Sequence, residues 1–558
     1  MAAAQFPPSP VSSDDALVHE AEESNVVPNH TVDIGKVSAT SNGKTSEPVQ
    51  YERRLGESEL SYYLPSRATG VNDMYLHLDF RAPEHLLRHA RVRMVWAILR
   101  GRHPLLASRV HMYEYNDVRF IYTPPQSPED ALISADNDLE YKSNTTRNEL
   151  LDIYLNGPRI LSDSRPSYLI ISQSEASTFL PSPPMTPHPS SPTSDKQEAP
   201  LKNYDMMICA THFLGDGMAL HQFANDLFGL LGSSKTQGDL EALLNEEWQA
   251  RWAGSIAEDS VLPESMEYRF PPETSKFRRA VGKVDFQRSQ DELIGGQAFP
   301  RRSKQPRHTT VQTVSYDVDR TKAILKRCKA HGVSVSAALF AICNIAWAQL
   351  SQAKKELPTM MYSAVNLRPH FTVTSLNDSY WFLAVGYFNV ILPTFIPRSV
   401  ELSTVFWHRA RIAKEQSTRA AKNPMIVSRS RLMASERGLR ARIWAKEDDD
   451  KDRGLFVSPP PASTTHVKAV RAPSTALMGL SLLGNLDGIY KYASYPEIQF
   501  NSLTTGSRQR SGGMLLFSYT FAGKLFISLG YDENGFEKAC VERFWENILQ
   551  ATDELMVN

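Results

Sequence analysis

A short apolar run at 204–210, Tyr-Asp-Met-Met-Ile-Cys-Ala, passes through Thr211-His212-Phe213-Leu214-Gly215-Asp216-Gly217 straight into an amphipathic stretch at 218–231. The run has the length of a buried strand. Behind it Leu220, Phe223, Leu227 and Leu231 recur at helical spacing. A strand joined this tightly to a helix requires a sheet with helices packed on it. One histidine sits at the junction. A His at a strand end is held by rigid backbone and can still face a cavity, and its neutral imidazole can accept a proton near neutrality. The rival reading is a turn histidine ahead of a helix. His, Asp and Gly at these offsets arise by chance about once in twenty chains of this length at average composition. Asp216 stands too close across a tight turn to be taken as a triad partner. Gly217 admits torsions that other residues resist.

The rest of the chain alternates helical and strand patterns. A helix is predicted at 84–100, with Leu87, Ala90, Met94 and Ile98 on one face, and another at 319–331, stopped by Gly332. Ser334 caps an apolar helix that follows, and the chain closes on an amphipathic helix at 536–555. Hairpins are predicted around Tyr115-Asn116-Asp117 and around Ala522-Gly523. The stretches 254–308 and 446–473 read as long loops. Residues 1–50 are polar and Pro/Ser-rich and predict a disordered tail, and 176–203 reads as a Pro/Ser-rich surface insertion. The fold class is α/β with substantial mixed sheet.

With 558 residues the chain exceeds one core. A net charge of -1 gives no electrostatic reason to expect nucleic acid or an anionic membrane. Cys209, Cys328, Cys343 and Cys540 are scattered, so neither a disulfide framework nor a cysteine metal site is expected. The first residues carry no secretory pattern, and the apolar stretch at 333–350 includes Ser334, Ser336, Asn344 and Gln349, which suits a buried helix rather than a membrane span. A cytoplasmic monomer is expected. Several motifs fall short. Gly229–Thr236 lacks the Gly before Lys of a phosphate loop. His85 and His89 have no third ligand in view. Gly479-Leu-Ser481-Leu-Leu-Gly484 has the wrong spacing for a nucleophile elbow. The Arg-rich stretch 429–442 reads as a solvated helix or loop, with some capacity to attract phosphates.

The His-x-x-x-Asp-Gly segment at 212–217 resembles the motif of the superfamily that holds chloramphenicol acetyltransferase, plant BAHD acyltransferases and condensation domains of peptide synthetases. Arg100–Arg109 (Arg-Gly-Arg-His-Pro-Leu-Leu-Ala-Ser-Arg), Val365-Asn-Leu-Arg368-Pro and Val385-Gly-Tyr-Phe-Asn389 resemble further segments of that superfamily in the expected order. The Pro/Ser insertion ahead of the motif is similar to fungal secondary-metabolite O-acetyltransferases such as those acting on trichothecenes. Thr211 stands where condensation domains carry a first histidine, which favours the CoA-dependent branches. The Asp-Phe-Gly-Trp-Gly segment of plant members is absent; its nearest counterpart is 484–490. The resemblance implies a two-lobed pseudo-dimer with a channel between lobes, here 51–310 and 311–558. It implies acyl-CoA as co-substrate, no bound cofactor or metal, and a small alcohol as acceptor. His212 would be the general base in a direct transfer, and Asp216 a structural residue paired with Arg368. Asn389 and Asn485 are candidates for the channel or the oxyanion site. A carrier-protein thioester, a glycolipid acceptor and an idle ligand-binding relative are the alternatives.

Overall fold

The computed structural model describes residues 49–173, 200–252, 261–302, 305–372, 379–457 and 473–557. The tail expected at 1–50 and the insertion expected at 176–203 lie almost wholly outside these residues. Numbered along the chain, β2 (Met74–Pro83), β5 (Leu139–Ser143), β6 (Ser167–Gln173), β7 (Leu201–Ala210) and β12 (Gln499–Ser507) form one sheet in the order β12-β2-β7-β6-β5. A second sheet holds β8 (Thr309–Tyr316), β9 (Thr359–Asn366), β10 (Val385–Leu392), β11 (Met478–Asn485), β13 (Met514–Phe521) and β14 (Lys524–Asp532), in the order β10-β9-β11-β13-β14-β8. A small sheet joins β1 (Tyr51–Arg54), β3 (Arg109–Glu114) and β4 (Asp117–Tyr122). Both large sheets are mixed: β5 runs parallel to β6, β11 runs parallel to β9 and β13, and the other pairs are antiparallel.

The helices that position the site are α1 (Glu57–Ser66), α2 (His89–Arg102), α3 (Gly217–Leu231), α4 (Lys276–Asp291), α5 (Val318–Ala330), α6 (Val335–Ala348), α7 (Leu402–Ala421), α8 (Ile426–Asp452) and α9 (Lys538–Thr552). In the first core Leu76, Leu78 and Phe80 of β2 and Met206 and Ile208 of β7 join Leu220, Phe223 and Leu227 of α3 and Val95, Trp96 and Leu99 of α2. The second core gathers Phe340, Ile342 and Trp347 of α6, Ile527 and Leu529 of β14, and Phe544 and Ile548 of α9. Burying a side chain of this size favours the folded state by about 1.5–3 kcal/mol. The apolar stretch at 333–350 is thus a core helix, and among the described residues no single helix is long and apolar enough to cross a membrane. Ser334 caps it by accepting from the Ala337 amide.

Four expectations are corrected. The lobes are not contiguous halves, because β12 crosses back and pairs antiparallel with β2 from Gln499↔Arg81 to Ser507↔Met74. The helix at 84–100 is broken: Glu84–Leu87 is a 3-10 turn, Arg88 is extended, and α2 follows with Ala90 on its exposed side. Residues 254–308 contain α4, which buries only Gly282 and Phe286 and so turns no apolar stripe to the core. The stretch 429–442, read as a solvated helix or loop, is helical but not solvated all round: it belongs to α8, which continues to Asp452 into the stretch read as a loop from 446 and packs along α1. Its buried face is Ala434, Arg437, Gly438, Ala441 and Ala445. These are mostly small residues at helical spacing, which mark close approach of two helices and give little hydrophobic contrast. A Cβ at Gly438 would stand 1.8 Å from Glu57 Oε2.

Candidate active site

His212 lies just past the end of β7, where the strand turns into α3. Phe213 and Leu214 are buried in the first core on its C-terminal side. The turn closes with the Leu214 amide on the Thr211 carbonyl. Two anchored neighbours leave the imidazole little freedom. Its Nδ1 stands 3.0 Å from the carbonyl oxygen of Gly215. A carbonyl only accepts, so Nδ1 carries the proton and the neutral ring keeps its lone pair on Nε2. Burial lowers the pKa of His212 below its usual value, with smaller opposing help from Asp216. The resting ring is therefore a neutral base at neutral pH. Tyr62 stacks on it, with ring centres 4.2 Å apart.

The imidazole lines a cavity of about 340 Å³ between the lobes. Tyr62, His212 and Gly217 come from one side, and Tyr362, Arg368, Ser481 and Phe517 from the other. Asp216 turns its carboxylate away from the imidazole. It caps α3 by accepting from the Met218 and Ala219 amides, both at 3.1 Å. It also accepts from the Ala384 amide at 2.9 Å and pairs with Arg368 at 2.9 Å, with the Asp216 side chain 3 % exposed. Arg368 reaches on to the Phe382 carbonyl at 3.1 Å. One carboxylate thus ties the helix after the His to the segment after β9 in the second lobe. Its accepting capacity is spent on that tie, and among the described residues the hydrogen bond of the His212 imidazole goes to Gly215 instead.

The arrangement matches known structures in fold. The trichothecene 15-O-acetyltransferase TRI3 of Fusarium sporotrichioides superposes with a TM-score of 0.67 over 96 % of this chain and 99 % of its own, at 14 % identity. The first condensation domain of the CDA synthetase gives 0.54 over 90 % and 96 %, at 12 % identity. The first condensation domain of the calcium-dependent antibiotic synthetase, in complex with a substrate analogue, gives 0.52 over 90 % and 96 %, at 10 % identity. The chain has the two-lobed, condensation-domain-like fold. No family model matches the sequence, and no curated protein is significantly similar to it.

Within this fold the other candidate residues take different places. Gly217 does not adopt a positive φ. Its small size matters instead, because a Cβ there would meet Leu483 Cδ2 at 3.1 Å across the lobe boundary. Asn485 is exposed, caps a turn by accepting from the Asp487 amide at 3.1 Å, and accepts from Thr520 at 3.0 Å. It does not line the His212 cavity, which removes it as an oxyanion donor. Asn389 lines a neighbouring cavity and not the one that holds His212. Cys209 is buried on the opposite face of β7 with Leu150 and Tyr154, and burial pushes its thiol up. His103 of the segment at 100–109 is buried against Ser379 at 3.0 Å, with its pKa pushed down to about 3 by burial. In the stretch that resembles a phosphate loop, Arg91 donates to the carbonyls of Leu231 at 2.9 Å and Lys235 at 2.7 Å and so pins the segment to α2.

Sequence reasoning missed Tyr62 and gave Ser481 no role; Tyr387 lay inside the segment 385–389 whose resemblance pointed to the channel, and it lines the cavity. Ser481 was visible only as a failed nucleophile elbow, yet β11 sets it on the cavity wall. Nothing in the pattern of single aromatics marked Tyr62. Among the described residues no three His, Cys, Asp or Glu side chains gather as metal ligands would.

Proposed function

We propose that this protein transfers an acyl group, acetyl or another short chain, from coenzyme A to a hydroxyl of a small specialised metabolite. The observation that carries the reading is the His212 imidazole, fixed through Nδ1 on the Gly215 carbonyl, neutral by burial, and lining the inter-lobe cavity. Nε2 takes the proton of the acceptor hydroxyl as its oxygen attacks the thioester carbonyl carbon. The tetrahedral intermediate then collapses, the carbon–sulfur bond breaks, and the imidazolium returns the proton to the thiolate. An ester and free CoA leave, and no acyl-enzyme forms. Ser481, on the second lobe's wall of the same cavity, is the hydroxyl suited to meet the developing oxyanion. The fold shared with an O-acetyltransferase supports this reading. Thr211, in place of a second histidine, supports coenzyme A over a carrier-protein donor.

The test is thiol release from acetyl-CoA with and without a mixture of alcohols. Alcohol-dependent release is expected. Release only from an acylated carrier protein would move the protein to the condensation class, and no turnover of either donor would mark it as a binding relative.

A further inference from the structure

α4 is held with its apolar side outward. Phe277, Val281 and Val284 follow one another at i, i+4 and i+7 and are 77, 42 and 62 % exposed. Ala280 is exposed beside them. The opposite face fixes this orientation. Gly282 lies so close to α8 that a Cβ there would collide with the Ser428 hydroxyl. Phe286 is buried, and Asp285 is held bidentate by Arg429 of α8 at 2.6 and 2.9 Å. Turning the valines inward would undo all three. Single exposed apolar residues are ordinary, but a row of them on one helix face marks a surface that meets something.

The same helix carries unpaired positive charge. Lys276, Arg278, Arg279, Lys283 and Arg288 are exposed, and none makes an ion pair or a side-chain hydrogen bond among the described residues. On other helices exposed cations do pair: Arg419 with Glu415 in α7 at 2.6 Å, and Arg543 with Glu546 in α9 at 3.1 Å. The one acid inside the run, Asp285, already belongs to Arg429. Lys276, Arg278 and Arg279 stand at the start of α4, which has no acidic residue in its first turn. The helix dipole disfavours cations at that end, so helix stability does not account for them. The whole chain has a net charge of -1, and this patch disappears in the average. Glu273 and Asp291 bound it along the chain.

The charge alone would suit any polyanion, and the apolar row decides between them. A nucleic acid takes cations at its phosphates and leaves Phe277, Val281 and Val284 in water. The interface of an anionic bilayer takes both, with cations among the headgroups and the phenyl ring and valines at the acyl boundary. At about 1.5 Å per residue, α4 offers such a surface four turns of helix.

We propose that α4 is a membrane-docking helix, which seats this protein peripherally on a bilayer surface that carries anionic lipid. The assignment does not depend on the acyl-transfer reading.

Flotation of the full chain with lipid vesicles tests it. Wild type should rise with phosphatidylcholine vesicles that contain phosphatidylserine and stay behind with phosphatidylcholine alone. Raising the salt from about 0.1 M to about 1 M, which shortens the Debye length from about 10 Å to about 3 Å, should release most of it. Lys283→Gln with Arg288→Gln should weaken the partition by about 25-fold, because each cation near such a surface contributes about fivefold, or about 1 kcal/mol. Phe277→Ser with Val284→Ser should weaken it by at least about tenfold with every charge intact. Lys538→Gln with Arg543→Gln removes the same charge from α9, where both cations are paired, and should leave the partition within about twofold. Melting midpoints identify a variant that has failed to fold, and the other α4 pair then decides. No binding to the anionic vesicles, equal binding to both kinds, or vesicle binding that survives in a folded α4 variant would overturn the assignment. Binding to duplex DNA with the vesicles ignored would give the patch to nucleic acid instead. A wild-type dimer that Phe277→Ser splits in light scattering would give it to a second copy of the chain.

Discussion

At the residue scale the site depends on how two neighbours divide their partners. His212 gives its Nδ1 proton to Gly215, and Asp216 gives its lone pairs to Arg368 and three backbone amides. The pH dependence follows. Only the neutral ring accepts a proton, and burial lowers its pKa, so the rate should rise with pH through a pKa below about 6.5 and be flat at neutrality. A pH–rate profile with an inflection above that value would contradict the burial argument. The ion pair has its own test. The Asp216 carboxylate is buried, so Asp216→Ala or Arg368→Ala should each cost on the order of 3–5 kcal/mol. The two losses should not add in a double-mutant cycle read by denaturant unfolding. Additive losses would mean that the carboxylate is held by the backbone amides alone.

At the element scale stability should respond to features that are local and already paired. Ser334→Ala removes the cap of α6 and should cost about 1 kcal/mol in chemical denaturation. Gly438→Val forces α8 off α1 at Glu57 and should cost about 1–3 kcal/mol. The strand and helix flanking His212, the hairpin at Ala522-Gly523 and the cap at Ser334 were legible in the sequence because each has a local signature: a period, a turn pair, a capping hydroxyl. Both turn residues do adopt positive φ, 50° at Ala522 and 73° at Gly523. α4 and α8 were not legible, since one buries almost nothing and the other buries small residues. Partners distant in sequence leave no local trace, which is why the cavity residues Tyr62 and Ser481 went unread while His212, and the segment that holds Tyr387, did not. Asn389 was read as a candidate for the channel or the oxyanion site, and the structure sets it on a neighbouring cavity rather than on the one that holds His212.

Across the whole molecule, the crossing strand β12 and the Asp216–Arg368 tie make the two lobes one structure. A chain cut after residue 310 should leave its first sheet without β12 at the edge beside β2. It should therefore be insoluble alone and recover when residues 311–558 are co-expressed. A soluble, cooperatively melting first half would refute this coupling. Acid should weaken the whole fold, because His103 and His221 are buried with pKa values pushed down to about 3. The unfolded chain binds protons at these groups below about 6.5 while the native chain does not, so stability should fall as pH drops from there toward 3. Direct transfer by His212 is the step on which the proposed activity depends. Rapid-quench kinetics with acetyl-CoA and an accepted alcohol measures this most directly, in wild type, His212→Ala and Cys209→Ala. Free CoA and ester should appear together with no burst, kcat should drop by about 10²–10⁴ in His212→Ala, and Cys209→Ala should behave as wild type. A burst of CoA that survives in His212→Ala and vanishes in Cys209→Ala would contradict it.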